Sequence, residues 1–86
     1  MNILLIEDEQ RIADFIVAGF TDVGFTTHWE QDGFRGLTTA LIKSFDAIVL
    51  DLTLPMMDGL TVLAEIRRKN LATPIIILSA RTDLTD

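Results

Sequence analysis

Three acids and two hydroxyls stand directly after apolar runs in this chain, and that placement is where its chemistry could lie. Glu7 and Asp8 follow Asn2-Ile3-Leu4-Leu5-Ile6, Asp51 follows Asp46-Ala47-Ile48-Val49-Leu50 with Thr53 two residues on, and Ser79 follows Ile75-Ile76-Ile77-Leu78. Short apolar runs of this kind are the pattern of strands buried on both faces, as in parallel sheets covered by helices. In such sheets ligands bind in the crevice beyond the carboxyl ends of the strands. The sequence therefore predicts that Glu7, Asp8, Asp51, Thr53 and Ser79 converge on one crevice.

Carboxylates gathered in a partly dehydrated crevice repel one another. At an effective dielectric of about 20, two unit charges about 4 Å apart cost about 4 kcal/mol. A cation is expected among them. Oxygen donors that include only one or two direct carboxylates, with water and a phosphate completing the shell, suit Mg²⁺ better than Zn²⁺. The chain has no cysteine and no Ser-His-Asp grouping stands out. The covalent acceptor would then be a carboxylate, giving an acyl phosphate, with Mg²⁺ screening the acids and drawing charge from the phosphoryl group.

The elements that must position these residues can be read from periodicity. From Arg11 to Val23, the apolar residues Ile12, Phe15, Ile16, Phe20 and Val23 recur at three- and four-residue steps, one face of a helix that Gly24 would stop. Residues 25–29 are aromatic and β-branched, a short and less apolar strand near a sheet edge. After the turn at Asp32-Gly33, residues Phe34, Leu37, Ala40 and Leu41 restore the helical period as far as Ser44. Residues 52–57 form a loop containing Pro55. Asp58 is placed to cap a helix carrying Leu60, Leu63, Ala64 and Ile66, with Arg67, Arg68 and Lys69 at its negative end. Pro74 opens the last strand. The order βαβαβαβ with short connections predicts the α/β class: a doubly wound parallel sheet with helices on both faces, in one domain spanning residues 1–86.

Composition narrows the function classes. With 49% hydrophobic residues in 86, the chain is rich enough to form a core, and its formal charge of −6 opposes direct contact with DNA phosphates or an anionic membrane surface. No apolar run approaches the roughly 20 residues that cross a bilayer. The first six residues have neither a basic flank nor a small-residue cleavage site, so a cytoplasmic chain is expected.

Several of these residues also have plainer readings. Glu7 and Asp8 are acids that suit a helix N-terminus, Asp58-Gly59 is cap and turn chemistry, and Thr53 and Ser79 are hydroxyls of the kind found at loops and strand ends. His28 and Trp29 on a short edge strand are expected to be structural, with no second metal-type ligand beside His28. Arg67-Arg68-Lys69 is best explained as helix C-terminal charge.

Taken together, Glu7-Asp8 after the first strand, Asp51 after the third, Pro55 four residues on, Asp58-Gly59 opening a helix and Ser79-Ala80 after the fourth strand resemble the receiver domains of two-component response regulators. The resemblance runs from residue 1 to about residue 84. It implies a flavodoxin-like strand order 2-1-3-4 and a phosphoryl group accepted by Asp51 from the phosphohistidine of a sensor histidine kinase. It further implies Mg²⁺ bound by Asp8 and Asp51 directly, by Glu7 through water and by the backbone carbonyl of Thr53, with Ser79 hydrogen-bonding a phosphoryl oxygen to report phosphorylation. The stretches Ile3-Leu4-Leu5-Ile6-Glu7-Asp8-Glu9 and Leu54-Pro55-Met56-Met57-Asp58-Gly59-Leu60 look most like receivers joined to winged-helix transcription factors, so DNA would be reached only through such an effector domain.

Receivers also carry a fifth strand ending in a lysine, then a final helix, so this domain is expected to be incomplete at its C-terminus; Lys43 and Lys69, on predicted helices, do not replace that lysine. An uncovered strand 75–78 would invite a homodimer or swapped assembly through residues 74–80. Two other functions compete with slow, stoichiometric signalling. One is a receiver acting only through association. The other is an aspartyl-phosphate hydrolase of the haloacid-dehalogenase type, which Asp51-Leu52-Thr53-Leu54 partly resembles, although Thr53 stands where those enzymes place a second acid.

Overall fold

A computed structural model describes residues 1–69 and 72–78. Along the chain it forms β1 (Asn2–Ile6), α1 (Gln10–Asp22), β2 (Thr26–Glu30), α2 (Gly33–Ile42), β3 (Ala47–Asp51), α3 (Gly59–Lys69) and β4 (Ile75–Leu78). The strands pair in parallel in the order β2-β1-β3-β4. The predicted α/β class and the order 2-1-3-4 are both found, and the less apolar β2 lies at an edge. β4 is the other edge among the described residues, with Ile76 and Ile77 exposed.

Strand alternation divides the core into two layers. Leu4, Ile6, Ile48 and Leu50 pack with Ala40 of α2 and Val62 and Ile66 of α3, while Ile3, Leu5, Ala47 and Val49 pack with Ala13 of α1. Each fully buried aliphatic side chain contributes roughly 1.5–3 kcal/mol. Helices therefore cover both faces. β1, at the centre, is apolar and buried from Ile3 to Ile6 because that stretch has no solvent face.

The helix ends follow local chemistry. α1 terminates in a Schellman arrangement, with Gly24 at φ 86°, its amide on the Thr21 carbonyl and the Phe25 amide on the Phe20 carbonyl, as the glycine predicted. Asp32 caps α2 by accepting the Arg35 amide at 2.8 Å. α3 starts where Gly59 passes so close to the end of β3 that a Cβ there would press against the Leu52 backbone and stand 2.5 Å from the Asp51 carbonyl oxygen. A side chain at residue 59 would push α3 off the strand end that carries Asp51.

One expectation needs correction. The apolar face predicted for α1 meets the sheet only in part: Ile16 and Phe20 pack against it, but Phe15 is 81% exposed, and Val23 and Ile12 are also exposed. Ala13 is buried, with Ile16, Val17 and Phe20 partly buried against the same layer, a stripe rotated by roughly a fifth of a turn. Small Ala13 lets the helix axis approach the strands, and a count of large apolar residues overlooks it.

Candidate metal centre

The site grows from the register of the two central strands. Ile6 of β1 is level with Leu50 of β3, so one residue further along Glu7 comes beside Asp51 at the carboxyl end of the sheet. Carboxylate oxygens of Glu7, Asp8 and Asp51 all lie within 4.8 Å of one another. Their exposure is graded: Glu7 is 2% exposed, Asp51 half-buried, and Asp8 open to solvent.

Local hydrogen bonds orient two of the three. Glu7 Oε2 accepts the Glu9 amide at 3.0 Å, and Asp51 Oδ1 accepts the Thr53 amide at 2.9 Å. Thr53 thus acts on Asp51 through its backbone N–H, a contact the sequence reading did not anticipate. Burial, with the charge of Asp51 and hydrogen bonds to Asp8 and Asp51, pushes the Glu7 carboxyl up to about 7 against the opposing pull of the Glu9 amide. Three oxygen-donor carboxylates under mutual repulsion, with no cysteine in the chain, match the demands of a hard divalent cation.

The loop after Asp51 is tightly wound. Met57 donates its amide to the Pro55 carbonyl at 2.7 Å across Met56, which sits at φ 72°, a γ-turn in the left-handed region. Leu52 is buried beneath it, and Leu54 and Met57 pack partly buried against the same core layer, while Thr53, Pro55 and Met56 face solvent.

A second layer of contacts escaped the sequence reading. Glu7 donates its amide to the Glu30 carbonyl at 3.1 Å and accepts the Trp29 indole N–H on its own carbonyl oxygen at 2.7 Å. Glu30 in turn receives the Thr39 hydroxyl at 2.6 Å and His28 Nε2 at 2.7 Å on its Oε2. A carboxylate does therefore accompany His28, two residues along the same strand. Burial raises the Glu30 carboxyl, but the Thr39 and His28 hydrogen bonds outweigh it and hold the group below its ordinary range. Alternation along β2 foretold that residues 28 and 30 share a side; nothing in the local sequence foretold Thr39. Ser79 lies outside the described residues.

The family model for the response regulator receiver domain matches residues 3–86. This chain belongs to that family. As a receiver of the two-component response regulators, it is 42% identical to the transcriptional activator protein IrlR of Burkholderia pseudomallei over all 86 of its residues, which span 37% of IrlR. Its fold superposes with a TM-score of 0.90 on the response regulator TrrA of Thermotoga maritima in complex with Mg²⁺ and beryllium fluoride, at 28% identity over 95% of this chain and 71% of that one. TrrA bound to the histidine kinase ThkA matches with a TM-score of 0.86 and 29% identity, over 92% of this chain and 68% of that one. No helix among the described residues is long and apolar enough to cross a membrane.

Proposed function

We propose that the receiver accepts a phosphoryl group on Asp51 from the phosphohistidine of a sensor histidine kinase, with Mg²⁺ as cofactor. The observation that carries this reading is the convergence of Glu7, Asp8 and Asp51 oxygens within 4.8 Å at the carboxyl ends of β1 and β3. A carboxylate oxygen of Asp51 attacks phosphorus, the phosphorus–nitrogen bond of the donor imidazole breaks, and an acyl phosphate forms. Asp8 and Asp51 hold the cation directly, with the Thr53 carbonyl, and Glu7 acts through water; bound there, Mg²⁺ supplies charge neutralisation to the acids and the phosphoryl oxygens. The Thr53 amide keeps the Asp51 carboxylate in a fixed rotamer, and Ser79 takes a phosphoryl oxygen. The Mg²⁺ and beryllium fluoride bound to TrrA and the kinase bound to the same protein support the assignment by likeness.

The relatives IrlR and QseB are named as transcriptional regulators, and this chain spans less than two fifths of either. On that ground the output we assign is transcription through a DNA-binding domain beyond residues 1–86, in the cytoplasm. Titrating Mg²⁺ together with beryllium fluoride tests the assignment. Saturable binding that disappears in Asp51→Asn is expected, and a wild-type chain that fails to bind the pair overturns it. Steady phosphate release from small monoesters would instead favour the hydrolase.

A second reading concerns assembly. Ile76 and Ile77 are 56% and 42% exposed on β4, at the edge of the described sheet, and an open apolar edge recruits another chain. We propose a homodimer or swapped assembly through residues 74–80, of which residues 79 and 80 lie outside the described part. A monodisperse monomer in sedimentation at tens of micromolar contradicts it.

A further inference from the structure

We infer that Trp29 is a positioning residue for the cation site, its indole N–H fixing the peptide that joins Glu7 to Asp8; this rests on the metal reading above. In the parallel β1–β2 ladder Glu7 donates its amide to the Glu30 carbonyl, so the next bond of the same ladder would run from the amide of residue 32 to the Glu7 carbonyl. β2 stops at Glu30, and the chain turns at Asp32 to cap α2. The Glu7 carbonyl instead receives the indole of Trp29, at 2.7 Å. A side chain continues the ladder where the backbone leaves it.

The consequence reaches the acids through covalent geometry. A peptide unit is planar, so holding the Glu7 carbonyl oxygen sets the plane that also contains the Asp8 nitrogen, and with it the direction in which Asp8 leaves the strand. Glu7 is held from its other end by the Glu9 amide on Oε2. Asp8 is exposed, and it gains its orientation from this peptide. The indole is a stiff support: Trp29 is paired with Leu5 in the ladder and packs against the α1-side core layer. A flexible donor at residue 29 would not transmit that rigidity.

Trp29 is the chain's only tryptophan, which makes the test direct. Mg²⁺ binding is measured by calorimetry on the wild-type chain and on Trp29→Phe, which keeps an aromatic ring and removes the N–H, alongside the thermal midpoint of each metal-free protein. The indole Nε1–H resonance of the wild type is followed through the same titration. The inference expects Trp29→Phe to bind Mg²⁺ about fivefold more weakly, the factor one neutral hydrogen bond is worth, with the metal-free thermal midpoint lowered by roughly 4–8 °C, as the loss of that bond from the fold requires. It also expects the indole resonance to move saturably at the calorimetric midpoint. Unchanged affinity in Trp29→Phe, or an indole resonance that stays still while calorimetry records saturation, overturns the inference and leaves the metal reading standing. No Mg²⁺ binding by the wild-type chain overturns both. Should the Phe variant fail to fold, the wild-type resonance decides alone.

Discussion

Glu7 and Glu30 end neighbouring strands, share a backbone hydrogen bond, and have their carboxyls driven in opposite directions. Glu30 is surrounded by donors: the Thr39 hydroxyl and His28 Nε2 both point at one of its oxygens. Glu7 is surrounded by acceptors, with Asp8 and Asp51 beside it and the Glu9 amide as its donor. Burial opposes the charge of both. What separates them is company. A partly buried carboxylate supplied with donors is part of the scaffold, whereas one placed among other carboxylates is a position where a cation would relieve the repulsion.

The sharpest way to break this comparison is to neutralise each acid in turn and follow stability against pH. Because the Glu7 carboxyl is raised from 4.5 to about 7, the native state holds its proton more tightly than the unfolded state does. The metal-free protein should therefore lose stability as pH rises from about 4.5 to about 7, by an amount on the order of 3 kcal/mol. Glu7→Gln, neutral throughout, should flatten that slope and be the more stable protein at pH 8 in chemical denaturation. Saturating Mg²⁺ should flatten it in the wild type as well. An unchanged slope in Glu7→Gln would assign the titration to another group.

Glu30→Gln should act in the opposite sense. The Glu30 carboxyl is lowered, so its contribution is present above its unfolded value and is lost as pH falls through the folded one. Losing the charged acceptor for Thr39 and His28 should destabilise the protein at neutral pH by about 1.5 kcal/mol. A gain in stability would show that Glu30 is strained as Glu7 is. Thr39→Val, nearly isosteric, removes one donor and should cost about 1 kcal/mol while raising the Glu30 titration seen by carbon NMR.

The loops extend the contrast. Among the described residues Met56 alone of the non-glycines has positive φ, and it lies in the turn that follows Asp51. Met56→Gly, with no Cβ to strain, should raise the thermal midpoint by the equivalent of about 0.5–1 kcal/mol. A loss would mean that the Met56 side chain supports the turn.

Much of this was legible in the residue order, for a physical reason. Strands buried on both faces must be continuously apolar, so acids that end them are visible as abrupt changes, and Glu7, Asp8 and Asp51 stood out. Gly24 and Asp32 announced the helix ends through backbone rules that act within a few residues. The contacts of Glu30 with Thr39 and of Trp29 with Glu7 span 9 and 22 residues and have no period to betray them. They depend on which strands become neighbours and in which register. The α1 stripe was only partly right, with Ile16 and Phe20 inward and Ile12, Phe15 and Val23 exposed, because helical periodicity says which residues share a side without saying which side meets the sheet.

The central position of β1 bears on how the protein is made. β1 pairs with β2 on one flank and with β3 on the other, so of the four strands the earliest to leave the ribosome is enclosed only after residue 51 has been synthesised. Until then the aliphatic stretch Ile3–Ile6 keeps one ladder flank unfilled, which is the kind of surface that nascent chains use to stick to one another. Slower translation between Glu30 and Asp51 would lengthen that exposure, and faster translation would shorten it.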